Sequence, residues 1–405
     1  MKNYMLLLFS TFLVAQNTQI KLQKVFDENK LMGLTVITFS GKTQKEYNFG
    51  LRNFTTNLPI EKNTKFRVAS ISKAFTTLGL MKLFDQKKFK LDDDISNYLG
   101  YKVINPKFPE TPITFRMLMS HTSSLADGAG YDVFLGATYN EKEIPNIKSI
   151  LLTEGKYFTT DIFLDKKPGT YFTYCNLNYG LIGTLIEKIS NQRFDVYMKN
   201  EILKPLKINS SYNLQDISDL ENVAALYRKV EGKWSATKDD YPNGRPTPTN
   251  LSAYVPGTNG VFYGPQGGLR VTSTDLVKFL KFIKSDGKTS PKIVTAKTIQ
   301  SMKKIQWNFD GLNGDNYNGM FNRWGLGLHH TNTIDKDLVW DIKKYGSFIG
   351  HAGDAYGLIS DAFYSEKKDF GFILITNGIF DGFQPGKTTA FFSFEEEIFK
   401  AIFEK

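Results

Sequence analysis

A serine and a lysine three residues apart, Ser70 and Lys73 in the stretch FRVASISKAF (66–75), have the residue types of a nucleophile and its base. One helical turn brings such a pair to the same side. A serine hydroxyl is a weak nucleophile until a neighbouring group accepts its proton. A lysine accepts it only when neutral. Its ordinary pKa is about 10.4, so burial or a nearby cation must lower that value. The bare spacing is not informative, because Ser-x-x-Lys recurs at Ser235/Lys238, Ser285/Lys288, Ser301/Lys304 and Ser365/Lys368. Those four fall, in turn, in a polar loop, a turn around Asp286-Gly287, the polar end of a short helix and a charged turn. Only Ser70 is expected to combine partial burial with a helix start, where backbone N–H groups and the helix dipole favour a developing negative charge. A structural helix cap would use the same residues, so nucleophile and cap both remain open at this point.

The elements that must position this pair are legible from periodicity. The segment 70–86 places Ala74, Leu78, Met81 and Phe84 on one face at spacings of three and four, which predicts an amphipathic helix. A second apolar helix is expected over 179–189. A third is expected over 271–283, opened by the capping pattern Thr272-x-x-Asp275. Residues 31–53 alternate in period two around Gly41-Lys42, and residues 355–378 form two apolar runs around a charged turn at 366–369. Both read as strand pairs. An amphipathic helix over 392–403 closes the chain. The loop 239–250, rich in Pro, Gly and Asn, is the main irregular stretch. The expected architecture is a mixed α/β (α+β) fold of one domain over 16–405. An antiparallel sheet is built from both chain ends, about 30–69 and about 263–405, with a mostly helical insertion over about 70–262.

The 405 residues carry 41% hydrophobic and 23% charged side chains, ordinary for a globular protein with a sizeable core. The net charge of +10 is spread along the chain, with only short clusters such as Lys87-Lys88 and Lys343-Lys344. This is a solvated basic surface and predicts no nucleic-acid partner, although it leaves room for association with anionic cell-wall polymers. The opening residues pair Lys2 with an apolar stretch from Met5 to Ala15, too short to span a bilayer. They read as a secretory signal cut near Ala15, giving a secreted or periplasmic protein with no integral membrane segment. Cys175 is the one cysteine, so no intrachain disulfide can form. His329-His330 has no third ligand spaced for a metal, and no cofactor is expected.

Five blocks then occur in a diagnostic order: FRVASISKAFT, ITFRMLMSHTSSL (113–125), KPGTYFTYCNLNYGLIGTLIEKIS (167–190), GPQGGLRVTSTDLVKFL (264–280) and GHAGDAYGLIS (350–360). On these the chain resembles the serine β-lactamase-related hydrolases. The nearest group within them comprises the class C β-lactamases, D-alanyl-D-alanine carboxypeptidases and family VIII esterases (peptidase family S12). The resemblance implies a β-lactamase/transpeptidase-like fold and three active-site elements. The first, Ser-x-x-Lys, falls on Ser70 and Lys73. The second, Tyr-x-Asn, falls on Tyr174 and Asn176, and the other Tyr-x-Asn, at Tyr241, lacks the following helix. The third, in a His-x-Gly variant, falls on His351 and Gly353.

The resemblance further implies that Ser70 attacks a carbonyl while Lys73, with Tyr174 as relay, takes and returns the proton, neighbouring cations such as His351 helping the phenol. Asn176 would bind a substrate amide or hold Lys73. The backbone N–H groups of Ser70 and Asp354 would form an oxyanion hole, in which one donor is typically worth about 3–4 kcal/mol. The substrate would be a small molecule or peptide carrying an ester or D-amino-acid-type amide, with specificity set by loops 126–165 and 231–262. A true β-lactamase, or a catalytically silent penicillin-binding sensor, is the alternative. An α/β-hydrolase is disfavoured, because the chain has no Gly-x-Ser-x-Gly elbow.

Overall fold

The computed structural model describes residues 17–290, 292–331, 342–380 and 382–404; the expected signal segment lies outside the described residues. The strands, in chain order, are β1 (Gly33–Ser40), β2 (Thr43–Asn53), β3 (Leu58–Pro59), β4 (Lys65–Arg67), β5 (Leu226–Val230), β6 (Lys233–Lys238), β7 (Arg270–Thr272), β8 (Trp307–Asn308), β9 (Arg323–Trp324), β10 (His329–Thr331), β11 (Phe348–Ala355), β12 (Leu358–Ser365), β13 (Gly371–Thr376) and β14 (Gly378–Phe380). Nine of them form one antiparallel sheet in the order β3-β2-β1-β13-β12-β11-β10-β9-β8. The two chain ends meet where β1 pairs with β13, Leu34 opposite Thr376 and Phe39 opposite Gly371.

Period two decides which side chain goes where. Leu34 and Val36 of β1, with Phe372 and Leu374 of β13, belong to the apolar layer under the helix at 17–28 and the helix Ser393–Phe403. Their alternates Ile37, Phe39, Ile373 and Ile375 join the larger core under the inserted helices. The sheet is therefore covered on both faces, and its central strands read as almost unbroken apolar runs.

The helix carrying Lys73 runs Ser72–Asp85 through the middle of that larger core. It departs from the expected amphipathic pattern. Ala74, Leu78 and Met81 are buried, but so are Thr76, Thr77 and Gly79 on its other sides. Its polar residues are satisfied by other segments: Thr76 Oγ1 donates to the Pro265 carbonyl (2.8 Å), and Ser72 Oγ accepts from Leu269 N–H (3.1 Å). A central helix of this kind cannot present a polar shoulder to water, so its polar groups act as fixing points.

The insertion is not wholly helical. Residues 226–238 form a hairpin, β5 and β6, that continues through β14 into a three-stranded sheet. The expected cap at Thr272 is present, its hydroxyl accepting from Asp275 N–H at 3.1 Å.

A buried carboxyl pair clamps the C-terminal helix to the sheet. Asp361 on β12, opposite Ala352 of β11, is fully buried beside Glu395, and burial raises both carboxyls above their usual range. With one proton held between them the carboxyls bond each other. As two carboxylates, neither Asp361 oxygen has a donor among the described residues. Because the folded state binds that proton more tightly than the unfolded chain, the stabilisation is complete below about pH 4 and is lost as pH rises toward neutrality and beyond. Asp361→Asn, which keeps a hydrogen bond to Glu395 without a titrating proton, is expected to raise the melting temperature at pH about 8 more than at pH about 5. Equal shifts at both pH values would contradict the shared proton.

Candidate active site

Ser70 lies in a 3₁₀ turn, Ala69–Ile71, two residues ahead of the α-helix that was expected to start on it. The cause is local. Ala69 is in the left-handed region at φ 44°, so a regular helix cannot run back through it. An alanine in that region costs of order 1 kcal/mol and persists only where its surroundings impose it. Here β11 presses on the turn. A Cβ on Gly353 would fall 2.8 Å from the Val68 carbonyl and 3.0 Å from Ser70 N, so only glycine permits the approach. Ser360 Oγ, opposite Gly353 in the strand register, donates to the same Val68 carbonyl at 3.2 Å.

Lys73 reaches back from the first helical turn and is fully buried. Its Nζ has three partners: Ser70 Oγ at 2.9 Å, Asn176 Oδ1 at 2.8 Å and the Gln266 carbonyl at 2.9 Å. An ammonium uses three N–H groups there. A neutral amine donates to Asn176 and Gln266 and turns its lone pair to the Ser70 hydroxyl. A proton can therefore move between Oγ and Nζ with the other two bonds kept. Desolvation lowers the Lys73 pKa to about 7, against the opposing pull of Asp127 and Cys175.

Asn176 and Tyr174 stand on either side of Cys175, at the start of the helix Asn176–Ser190. Both ends of the Asn176 amide are occupied by protein, Oδ1 by Lys73 and Nδ2 by Asp127 Oδ2 at 2.7 Å. Of its two expected roles, the geometry is that of holding Lys73. Tyr174 lies between two flat rings, His121 at 4.4 Å and Phe321 at 5.3 Å between centroids. Its hydroxyl faces Ser70, and Lys73 Nζ lies 4.8 Å from its ring centre. Burial pushes the phenol well above its ordinary pKa, so it stays protonated at neutral pH.

His351 is buried. Its Nδ1–H donates to the Ala352 carbonyl at 2.5 Å, and burial lowers its pKa to about 3. It is therefore neutral and supplies no cation to the phenol, which removes that part of the expected arrangement. Strand β11 pairs with β10 only through Gly350, so from His351 onward only its β12 edge is paired. The other edge, with Gly353, faces the Ser70 turn, and the exposed Asp354 follows. Ser70, Lys73, Tyr174, Asn176, His351 and Gly353 thus converge on one place, with Asp354 at its rim.

Three contributors were not anticipated. Asp127 receives the N–H groups of Asn176 and Leu177, both at 2.9 Å, and so caps the helix from another segment. Cys175 is buried and rests its Sγ 3.4 Å from the same carboxylate. His121 Nδ1 accepts from Cys175 N–H at 3.0 Å and holds the ring that stacks on Tyr174. The Gln266 carbonyl is the third partner of Lys73. Among the described residues no group of three or more His, Cys, Asp or Glu is gathered as a metal site, and no helix is long and apolar enough to cross a membrane.

Known proteins share this fold. Protein flp of Staphylococcus aureus (strain N315) is 27% identical over 172 residues, 42% of this chain and 32% of that protein, so the chain spans about a third of that relative's length. The octameric penicillin-binding protein homologue from Pyrococcus abyssi shares the fold with a TM-score of 0.67 at 23% identity, covering 89% of this chain and 73% of that one. The D-amino acid amidase from Ochrobactrum anthropi SV3 does so with a TM-score of 0.63 at 19% identity, covering 96% and 99%. The Beta-lactamase family model matches residues 22–387, nearly the whole described chain, and with the β-lactamase/transpeptidase-like fold around Ser70 and Lys73 this makes the chain a member of the Beta-lactamase family.

Proposed function

We propose that the protein is a serine hydrolase that cleaves an ester or a D-amino-acid-type amide through an acyl-enzyme on Ser70. The observation that carries this reading is the buried Lys73 amine, held by Asn176 and Gln266 with its remaining position on Ser70 Oγ. Lys73 takes the hydroxyl proton as Oγ forms its bond to the carbonyl carbon. The backbone N–H groups of Ser70 and Asp354 receive the oxyanion. Tyr174, a neutral phenol, hands a proton to the departing oxygen or nitrogen and recovers one from Lys73. Water then attacks the acyl carbon, its proton returns by the same groups, and the acid leaves with Ser70 restored. With its leader read as an export signal, the enzyme would meet its substrate outside the cytoplasm. The likeness to the D-amino acid amidase supports the amide side of this reading. A neutral His351 at the third element offers no fixed positive charge for a β-lactam carboxylate, so cephalosporin turnover is expected to be weak or absent.

A panel of short-chain esters, D-amino-acid amides and a chromogenic cephalosporin tests the substrate class, and the pH profile tests the base. Lys73 must be neutral to act and titrates at about 7. The kcat/KM is therefore expected to fall about tenfold per pH unit below that value and to be level above it. A rate still climbing near pH 10 would mean an ordinary lysine or the phenol as the base and would overturn the assignment. Efficient cephalosporin hydrolysis would restore the β-lactamase reading.

A further inference from the structure

Beside the site lies a cavity of about 930 Å³ whose wall carries a positive charge. Arg67, Arg193, Lys238 and Arg270 line it, against Asp239 and Asp240, and Arg193 is itself paired with Asp195 at 2.9 Å, which leaves one net positive charge. Asp239, buried to 1% exposure, takes two guanidinium forks at once. Arg67 donates Nε and Nη2 at 3.0 and 2.9 Å, and Arg270 donates the same pair at 3.0 and 2.8 Å. One carboxylate thus serves two buried cations, and Arg67 Nη1 bonds no described residue. Burial and the charges of Arg67 and Arg270 also lower the pKa of Lys238, the sign of a positive field. Its Nζ rests over the Tyr356 and Tyr139 rings at 5.5 and 5.9 Å.

The cavity is joined to the chemistry by short links. Arg67 ends β4, three residues before Ser70. Tyr139, whose hydroxyl donates to the Val261 carbonyl at 3.2 Å, lies beside Gln266, whose carbonyl holds Lys73. Tyr356 directly follows β11, three residues after Gly353. Tyr241 also donates to Asp239, at 2.8 Å, so loop 239–250 is anchored there, and the wall of the open cavity still carries one net positive charge, on Lys238 and Arg67.

We propose that this cavity is the subsite for a carboxylate carried by the substrate away from the carbonyl that Ser70 attacks, so that the preferred substrates are acidic acyl or peptide chains. The proposal rests on Ser70 as the nucleophile. The free Arg67 Nη1 and Lys238 Nζ would receive the carboxylate through charge-assisted hydrogen bonds, and the tyrosines would flank the chain that bears it.

The test compares the p-nitrophenyl ester of hexanoic acid with the mono-p-nitrophenyl ester of adipic acid at low ionic strength, in the parent protein and in Lys238→Ala. Lys238 is desolvated only along the part of its side chain that lies in the cavity and is exposed overall, and it makes no hydrogen bond to Arg67, Asp239 or Arg270, so the substitution leaves that cluster in place. The ratio of kcat/KM, adipate over hexanoate, is expected to drop about tenfold in the variant, the weight of one charge-assisted hydrogen bond. In parallel, adipate is titrated calorimetrically into the Ser70→Ala protein with and without Lys238→Ala. A ratio that does not move, with no Lys238-dependent adipate binding, overturns the subsite while leaving the hydrolase reading intact. Lys238-dependent adipate binding without turnover of either ester supports the subsite and removes the hydrolase reading. Absence of both turnover and binding overturns the two together.

Discussion

Ser70→Ala is expected to lower kcat/KM for any acylating substrate by about 10⁴-fold or more, Lys73→Met to lower it nearly as far, and the double variant to fall no further than the worse single one. The two side chains handle one proton. Lys73 Nζ sits 2.9 Å from Ser70 Oγ, and the rest of its bonding is spent on Asn176 and Gln266. Without the amine, Oγ has no other base poised on it, because the Tyr174 phenol stays protonated and His351 is held by Ala352. Without Oγ, Lys73 has nothing to activate. Steady-state kinetics on the three variants with one ester checks this, and losses that multiply would show two independent contributions. Stability gives a further check. Lys73 is a buried amine whose charged form is disfavoured, so Lys73→Met should keep or raise the melting temperature.

Asp127→Ala is the second large effect. Its carboxylate takes Asn176 N–H, Leu177 N–H and Asn176 Nδ2, so its loss frees both the helix start and the amide that holds Lys73. Loss of the cap costs about 1 kcal/mol, and the loosened Asn176 is expected to lower kcat by about 10²-fold, as misplaced positioning groups do. The pH profile separates positioning from bulk destabilisation. Asp127 raises the Lys73 pKa electrostatically. Asp127→Asn therefore removes an opposite charge, and the acid limb of kcat/KM moves to lower pH. A profile that stays in place would leave Asp127 as a structural cap alone.

Much of this site could be read in advance because its chemistry is tied to short-range patterns. Ser70 and Lys73 share one turn, Tyr174 and Asn176 flank one residue, and His351 and Gly353 lie on one strand. The sheet was legible for the same reason, since residues 31–53 alternate in period two and 371–376 is the short unbroken apolar run that a strand covered on both faces requires. What stayed hidden depends on distant segments or on the backbone. Asp127 meets Asn176 across 49 residues, and Arg67 meets Asp239 across 172. The Gln266 carbonyl has no sequence signature, because every residue carries one. The left-handed Ala69 gave no warning, since alanine does not mark that conformation as glycine or asparagine does. The β5–β6 hairpin did leave a signal, Glu231-Gly232 between two runs of β-formers, with Gly232 at φ 79°. The stretch around Ser235 and Lys238 reads instead as a polar loop in a mostly helical insertion, because Lys233, Ser235, Thr237 and Lys238 give it no apolar face; the structure makes it strand β6.

Covalent trapping tests the central claim most directly. The purified protein is treated with a fluorophosphonate probe, digested with trypsin and sequenced by mass spectrometry. The tryptic fragment that follows Arg67 and ends at Lys73 contains both Ser70 and Ser72, so fragmentation must place the adduct between them. Ser72 is fully buried, with its oxygen accepting from Leu269 N–H. The predicted result is a single adduct on Ser70, absent from Ser70→Ala, whose rate of formation rises through pH about 7 as Lys73 loses its proton. An adduct on any other serine, or labelling of Ser70→Ala at the parent rate, would contradict the account.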